Sequence, residues 1–316
     1  MTNRTQALSE STSRAATSRL RALSGSAGAA RRPVGDCALV GAGPGDPQLL
    51  TLAALRAIRR ATVLLVDELV PGELVEFALR GLKRRPRIVP VGKRGGCAST
   101  PQRFIERLMA AEALTGQRVV RLKGGDPFIF GRGGEEVQAL QAQGIPTRVV
   151  NGITSGLAAA TGLGVPLTHR AHAQGVIFVT GHAKSGGSTP DWAVLAQAAA
   201  LGLTLVVYMG VAQVDQLHAG LVQGLPGTTP VAVVQHASLP QQRELVTTLA
   251  ELPRALRDAG LGSPAIMVIG EVVNARTLAA QAQHQLHQAG HQTEQSAQAV
   301  TPGAGTSAPQ RARRRA

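Results

Sequence analysis

The stretch VVRLKGGDPFIFGRGGEE, from Val119 to Glu136, decides the fold. Its apolar start, Val119-Val120, reads as a strand feeding a loop. Gly124-Gly125 lets the backbone turn sharply and pass close to a ligand, because no Cβ stands in the way. Asp126-Pro127 closes the turn, with proline fixing its own φ. Gly131, Gly133 and Gly134 flank Arg132 and leave little side-chain bulk around its guanidinium. Glu135-Glu136 opens a helix, where carboxylates suit the positive end of the helix dipole. Strand, glycine-lined loop and helix in that order make one βα step. The loop carries Lys123, Asp126, Arg132 and Glu135 within thirteen positions. That density of chemistry points to a ligand site more than to a plain connection with solvated charges.

The flanks repeat the step. Ala38–Val40 is a short strand running into Gly41-Ala42-Gly43-Pro44-Gly45, and a helix follows over 49–60. A strand over 62–66 ends at Asp67-Glu68, a helix covers 72–82, and a strand over 87–91 ends at Gly92-Lys93-Arg94. An amphipathic helix over 101–114 precedes the central strand. A helix over 135–143 and a strand over 147–150 complete a first unit. Strands at 176–179, 204–208, 231–234 and 265–269, with helices at 156–163 and 248–258, predict a second. Alternation of strands and helices predicts α/β units built on mainly parallel sheets. The boundaries expected are an N-terminal domain at 34–150 and a C-terminal domain at 151–276. Ligands of such sheets bind beyond the carboxyl ends of the strands, where nearly every motif above lies.

Composition narrows the chemistry. Aromatics are 2% of the chain, which argues against nucleic acid held by stacked bases. No apolar run approaches a membrane span. Two isolated cysteines, Cys37 and Cys97, suggest a reducing compartment and neither a disulfide framework nor a zinc site. The net charge of +14 is partly terminal. Residues 1–33 hold six Arg against Glu10, and residues 277–316 hold four Arg against Glu294. The two ends so account for +5 and +3 of the total, leaving +6 for 34–276. That excess suits a polyanionic small substrate as well as a nucleic acid. Residues 1–33 and the low-complexity basic tail at 277–316 are predicted to be disordered, with organelle targeting a minor alternative for the first. His284, His287 and His291 share a face if helical but have no carboxylate or Cys nearby, and no metal is expected there. Gly41-Ala-Gly43-Pro-Gly45 is not a dinucleotide fingerprint, since position 46 is Asp and Pro44 occupies the turn.

VGAGPGDP at 40–47, RLKGGDPFIFGRGGEE at 121–136, PLTHR at 166–170, VTGH at 179–182 and YMG at 208–210 together resemble the tetrapyrrole methylase family. The resemblance covers about 36–274 and implies two α/β domains with the active site in the cleft between them, working as a cytoplasmic homodimer. It implies successive transfer of two methyl groups from S-adenosyl-L-methionine to carbons 2 and 7 of uroporphyrinogen III. The product would be precorrin-2, the branch point to sirohaem, cobalamin and haem d1. Residue for residue, it implies cofactor contacts at Pro44, Gly124, Gly125, Asp126, Ile129, Thr154, Ser155, Met209 and Ala237. It implies Asp67 as proton acceptor and Lys93 as proton donor, with Arg132 and Glu135 assisting. It places Arg132, Arg170 and His182 against substrate carboxylates. Neither metal, nucleic acid nor membrane is expected to take part. The residue chemistry agrees: S-adenosylmethionine has no phosphate to cradle, and a substrate with eight carboxylates suits a cleft lined by Arg. A methylase of a later corrin precursor, and an RNA methylase using the basic ends, are the competing readings.

Overall fold

The structure is a computed structural model that describes residues 33–92, 101–182 and 189–276. The first sheet holds β1 (Asp36–Gly41), β2 (Val63–Val66), β3 (Arg87–Pro90), β4 (Arg118–Lys123) and β5 (Thr147–Val150). Their order is β3-β2-β4-β1-β5 and every pairing is parallel. The crossovers carry α1 (Leu52–Arg60), α2 (Gly72–Leu79), α3 (Gln102–Leu114) and α4 (Gly133–Gln141). Local chemistry sets these ends. The Thr51 hydroxyl accepts the Ala54 N–H at 3.1 Å to start α1, and Arg59 and Arg60 sit in its last turn. Side-chain alternation then sorts β4 between two cores. Val120 and Leu122 pack with Ala54, Ile58 and Leu74, whereas Val119 packs with Ile105, Met109 and Leu140. Burial on both faces is why β1 and β2 read as apolar runs.

The second half begins with α5 (Ser155–Leu163) and β6 (Gly175–Thr180), then α6 (Trp192–Ala200) and β7 (Leu203–Tyr208). It continues through α7 (Val214–Leu221), β8 (Pro230–Gln235), β9 (Arg243–Thr248), α8 (Leu252–Asp258) and β10 (Ala265–Ile269). The sheet order is β6-β7-β10-β8-β9. Here the expectation of a mainly parallel sheet needs correction. β6 and β7 pair in parallel, but β10 is antiparallel to both β7 and β8, and β8 is antiparallel to β9. The cause is the connection at 236–242, a hairpin with no crossover helix. The apolar run at Ala265–Ile269 marks a buried strand but carries no direction. β9, α6 and α7 were not foreseen either. β9 is a half-buried edge strand with Arg243 and Glu244 at its start, and its pairing with β8 pushes the helix expected over 248–258 back to Leu252.

The two halves meet at their strand ends. The Asp46 N–H donates to Ser238 Oγ at 3.2 Å, and the ring of Phe130 lies 4.8 Å from that of Tyr208. The carboxyl ends of β1 and β4 thus face those of β7 and β8. Among the described residues, no helix is long and apolar enough to cross a membrane. Lys93, the predicted disordered ends and the three tail histidines lie outside the described residues.

Candidate active site

The glycine loops close on each other first. Gly43 and Gly125 exchange backbone hydrogen bonds of 3.1 and 2.7 Å, forming an isolated bridge just past β1 and β4. Gly125 has φ +63, and an added Cβ would meet Ser155 N, Ser155 Oγ and Thr154 Cα, all at 3.8 Å. The turn therefore opens directly toward the start of α5. Asp126 is buried and acts as a clasp: its Oδ1 accepts the Phe128 N–H at 2.8 Å and its Oδ2 accepts the Gly152 N–H at 3.1 Å. Tyr208, at the end of β7, ties the same linker to the second sheet. Its hydroxyl shares a 2.8 Å hydrogen bond with Thr154 Oγ1 and accepts the Gly156 N–H at 2.9 Å. Burial pushes the Tyr208 phenol pKa up, while these two hydrogen bonds pull it down. Ile129 and Ala237 pack on the same apolar cluster as Tyr208. Pro44 sits between the bridged Gly43 and Gly45, whose Cα faces Leu239. The nine positions expected to contact cofactor are thus drawn from both halves into one region.

Backbone conformation marks the region independently. Among the described residues, the non-glycines with positive φ are Phe130, Arg132, Met209, His236 and Ser238. All lie on loops after β4, β7 or β8, and such strain collects at functional sites. Met209 is 46% exposed at φ 54, an apolar side chain held open at the end of β7.

Charge gathers behind the glycine turn. Arg121 and Lys123 project from the same face of β4, two residues apart. Arg121 is 2% exposed and donates from Nη2 to Asp67 Oδ2 at 2.6 Å. It also donates from Nε to Glu136 Oε1 at 3.4 Å, an oxygen that Lys123 Nζ reaches at 3.3 Å. Burial pushes the Lys123 pKa down and Arg121 adds to that, while Glu136 and Asp67 pull it back. Sequence reasoning named Asp67 but missed Arg121 and Glu136. An arginine between Val120 and Leu122 in a strand buried on both faces was the available signal. Outside this cluster, Arg132 forks onto Glu135 at 3.2 and 2.6 Å with both side chains about half exposed. The hydrogen bond to Glu135 holds the Arg132 pKa above its ordinary value.

The two remaining substrate candidates separate. His182 follows β6 by one residue, Gly181, whose N–H donates to Tyr208 O at 2.7 Å, so it stands near Met209 at the site edge. Arg170 does not come there. It lies in the 169–173 turn that precedes β6, and the register pairs Gly175 with Leu203 but Thr180 with Tyr208. The length of β6, roughly 16–20 Å for six residues, separates Arg170 from the Met209 end within this chain.

The family model for tetrapyrrole (corrin/porphyrin) methylases matches residues 36–253. The chain belongs to the tetrapyrrole methylase family. It is 53% identical over 238 residues to the uroporphyrinogen-III C-methyltransferase of Pseudomonas aeruginosa, spanning 74% of this chain and 92% of that one. It is 49% identical over 251 residues to the siroheme synthase of Azotobacter vinelandii, of whose length it spans about half, 53%, and 79% of its own. Among solved structures, the uroporphyrin-III C-methyltransferase of Thermus thermophilus complexed with S-adenosylhomocysteine is 40% identical. That match has a TM-score of 0.63 and covers 76% of this chain and 100% of that one.

Proposed function

We propose that this methylase transfers methyl groups from S-adenosylmethionine to uroporphyrinogen III, first at carbon 2 and then at carbon 7, yielding precorrin-2. The observation that carries the reading is the 53% identity to a uroporphyrinogen-III C-methyltransferase over 92% of that relative's length. The strand-end geometry supports it. Backbone groups around Gly124, Gly125 and Thr154, with Met209 opposite, suit a phosphate-free adenosyl ligand whose amino-acid end and adenine need main-chain hydrogen bonds. The set Pro44, Gly124, Gly125, Asp126, Ile129, Thr154, Ser155, Met209 and Ala237 is proposed to bind it. Catalysis then rests on positioning. As the new C–C bond forms, the methyl C–S bond breaks and S-adenosylhomocysteine is released. A proton leaves a neighbouring meso carbon, and Asp67 is proposed to accept it, a carboxylate within hydrogen-bond reach being able to act as a general base. Arg132, oriented by Glu135, is proposed to hold substrate carboxylates, since a guanidinium stays protonated. His182 serves the substrate edge and Lys93 the proton return. Residues 34–150 and 151–276 are proposed as the two domains, in a homodimer. In that dimer Arg170 would serve only if a partner copy brought it to a site.

Purified protein given labelled S-adenosylmethionine together with uroporphyrinogen III, later corrin precursors and RNA tests the reading. Label in a dimethylated tetrapyrrole is expected. Label only in a later corrin precursor, or only in RNA, would move the activity to another branch of the family.

A further inference from the structure

Among the described residues the proposed chemistry leaves several buried polar groups unused, Glu136 among them. Glu136, in the first turns of α4, is fully buried. Its Oε1 alone receives Gln102 Nε2 at 3.0 Å, Arg121 Nε at 3.4 Å and Lys123 Nζ at 3.3 Å. Its Oε2 has no hydrogen-bond partner among the described residues. Three donors on one oxygen with the other left bare is a poor arrangement for stability, because a buried oxygen without a donor carries its desolvation cost uncompensated. It is a good arrangement for fixing direction. With Nε on Glu136 and Nη1 on Leu122 O at 3.3 Å, the planar Arg121 guanidinium has its third nitrogen aimed at Asp67 Oδ2, 2.6 Å away. The other Asp67 oxygen, Oδ1, accepts the Leu69 N–H at 3.3 Å. Leu69 in turn lies against the glycine turn, since a Cβ on Gly124 would come within 2.9 Å of the Leu69 Cβ. The carboxylate is thereby held at both oxygens while it stays 23% exposed just past the carboxyl end of β2.

We propose that Glu136 is a positioning residue for methyl transfer: it fixes Arg121, and through Arg121 it holds the Asp67 carboxylate in one orientation toward the substrate. The proposal rests on the reading of Asp67 as proton acceptor. A proton transfer needs its acceptor within hydrogen-bond reach of the leaving proton, so a carboxylate free to turn loses turnover without losing cofactor. A cluster that merely fastens α4 to β4 would act on stability and spare that coupling.

The test is a double-mutant cycle on the full chain with Glu136→Gln and Asp67→Asn. Glu136→Gln keeps size and one acceptor oxygen. It is expected to lower kcat by roughly 10- to 100-fold with the Kd for S-adenosylmethionine unchanged. In the Asp67→Asn background the same change is expected to add no further loss, because both act through one carboxylate. Equal losses in both backgrounds, or a Glu136→Gln turnover equal to that of the unaltered chain, would overturn the proposal. If Glu136→Gln fails to fold, Arg121→Lys runs the same cycle. A second readout needs no substrate: the Arg121 Nε–H resonance in 15N NMR is expected in slow exchange with water and displaced by both Glu136→Gln and Asp67→Asn. Insensitivity to Asp67→Asn overturns the relay. A chain that does not methylate uroporphyrinogen III would instead sink the proposed function, with the NMR arm still deciding the relay.

Discussion

Replacing Gly125 by Ala probes the cofactor turn most cleanly, because two effects separate there. At φ +63 the new residue must adopt a left-handed backbone, which costs about 1–2 kcal/mol for an L-residue. The fold has room for the methyl itself, with its nearest neighbours at 3.8 Å, so no further steric cost is due. A shift of roughly 2–8 °C in Tm follows for a folded region of this size. The methyl points at Ser155 and Thr154, into the space assigned to the ligand. Calorimetry is expected to show the Kd for S-adenosylmethionine raised about tenfold or more, equivalent to about 1.4 kcal/mol or more. Gly125→Val, with a branched side chain, is expected to abolish binding with the fold intact. Gly144→Ala is the control: its φ is +69 with nothing within 4 Å of the added carbon, so it pays a similar backbone cost far from the turn. Equal effects of the two alanines on Kd, or no effect of Gly125→Ala, would refute the placement of the cofactor.

Arg132→Lys keeps the charge but loses the two-pronged contact with Glu135, so normal cofactor binding with most turnover lost is expected from calorimetry and initial rates. Tyr208→Phe strands Thr154 Oγ1 and the Gly156 N–H, and chemical denaturation is expected to report a loss of about 1–3 kcal/mol. Burial raises the Cys37 thiol to a pKa of about 12, so the thiolate is scarce below that pH, and maleimide labelling at pH 8 followed by mass spectrometry should leave Cys37 unmodified in the folded chain. A chain trimmed to 34–276 keeps both sheets and the Arg276 contacts with Leu163 O and Glu244, and is expected to retain folding and turnover.

The first sheet was legible because parallel strands buried on both faces leave apolar runs such as Thr62–Val66, each broken by a polar loop. The second was less so. Nothing in the composition of 265–269 distinguishes a strand running against its neighbours, and β9 hides behind Arg243 and Glu244. The glycine turn at Gly124-Gly125 announced itself through residue type. The left-handed conformations of Met209, His236 and Ser238 did not, because these side chains conceal what a glycine would have advertised. Arg121 and Glu136 escaped notice because their meaning lies in a contact between β4 and α4. Arg170 stands away from the Met209 end because its motif precedes a strand, and residues before a strand sit at the far end of the sheet.

The central claim is tested most directly by turnover with 13C-methyl S-adenosylmethionine and uroporphyrinogen III under anaerobic conditions, the product being read by NMR. The account predicts two labelled methyl groups on one tetrapyrrole, at carbons 2 and 7, with the first appearing before the second. An unlabelled tetrapyrrole beside intact S-adenosylmethionine, or label at other carbons, would contradict it.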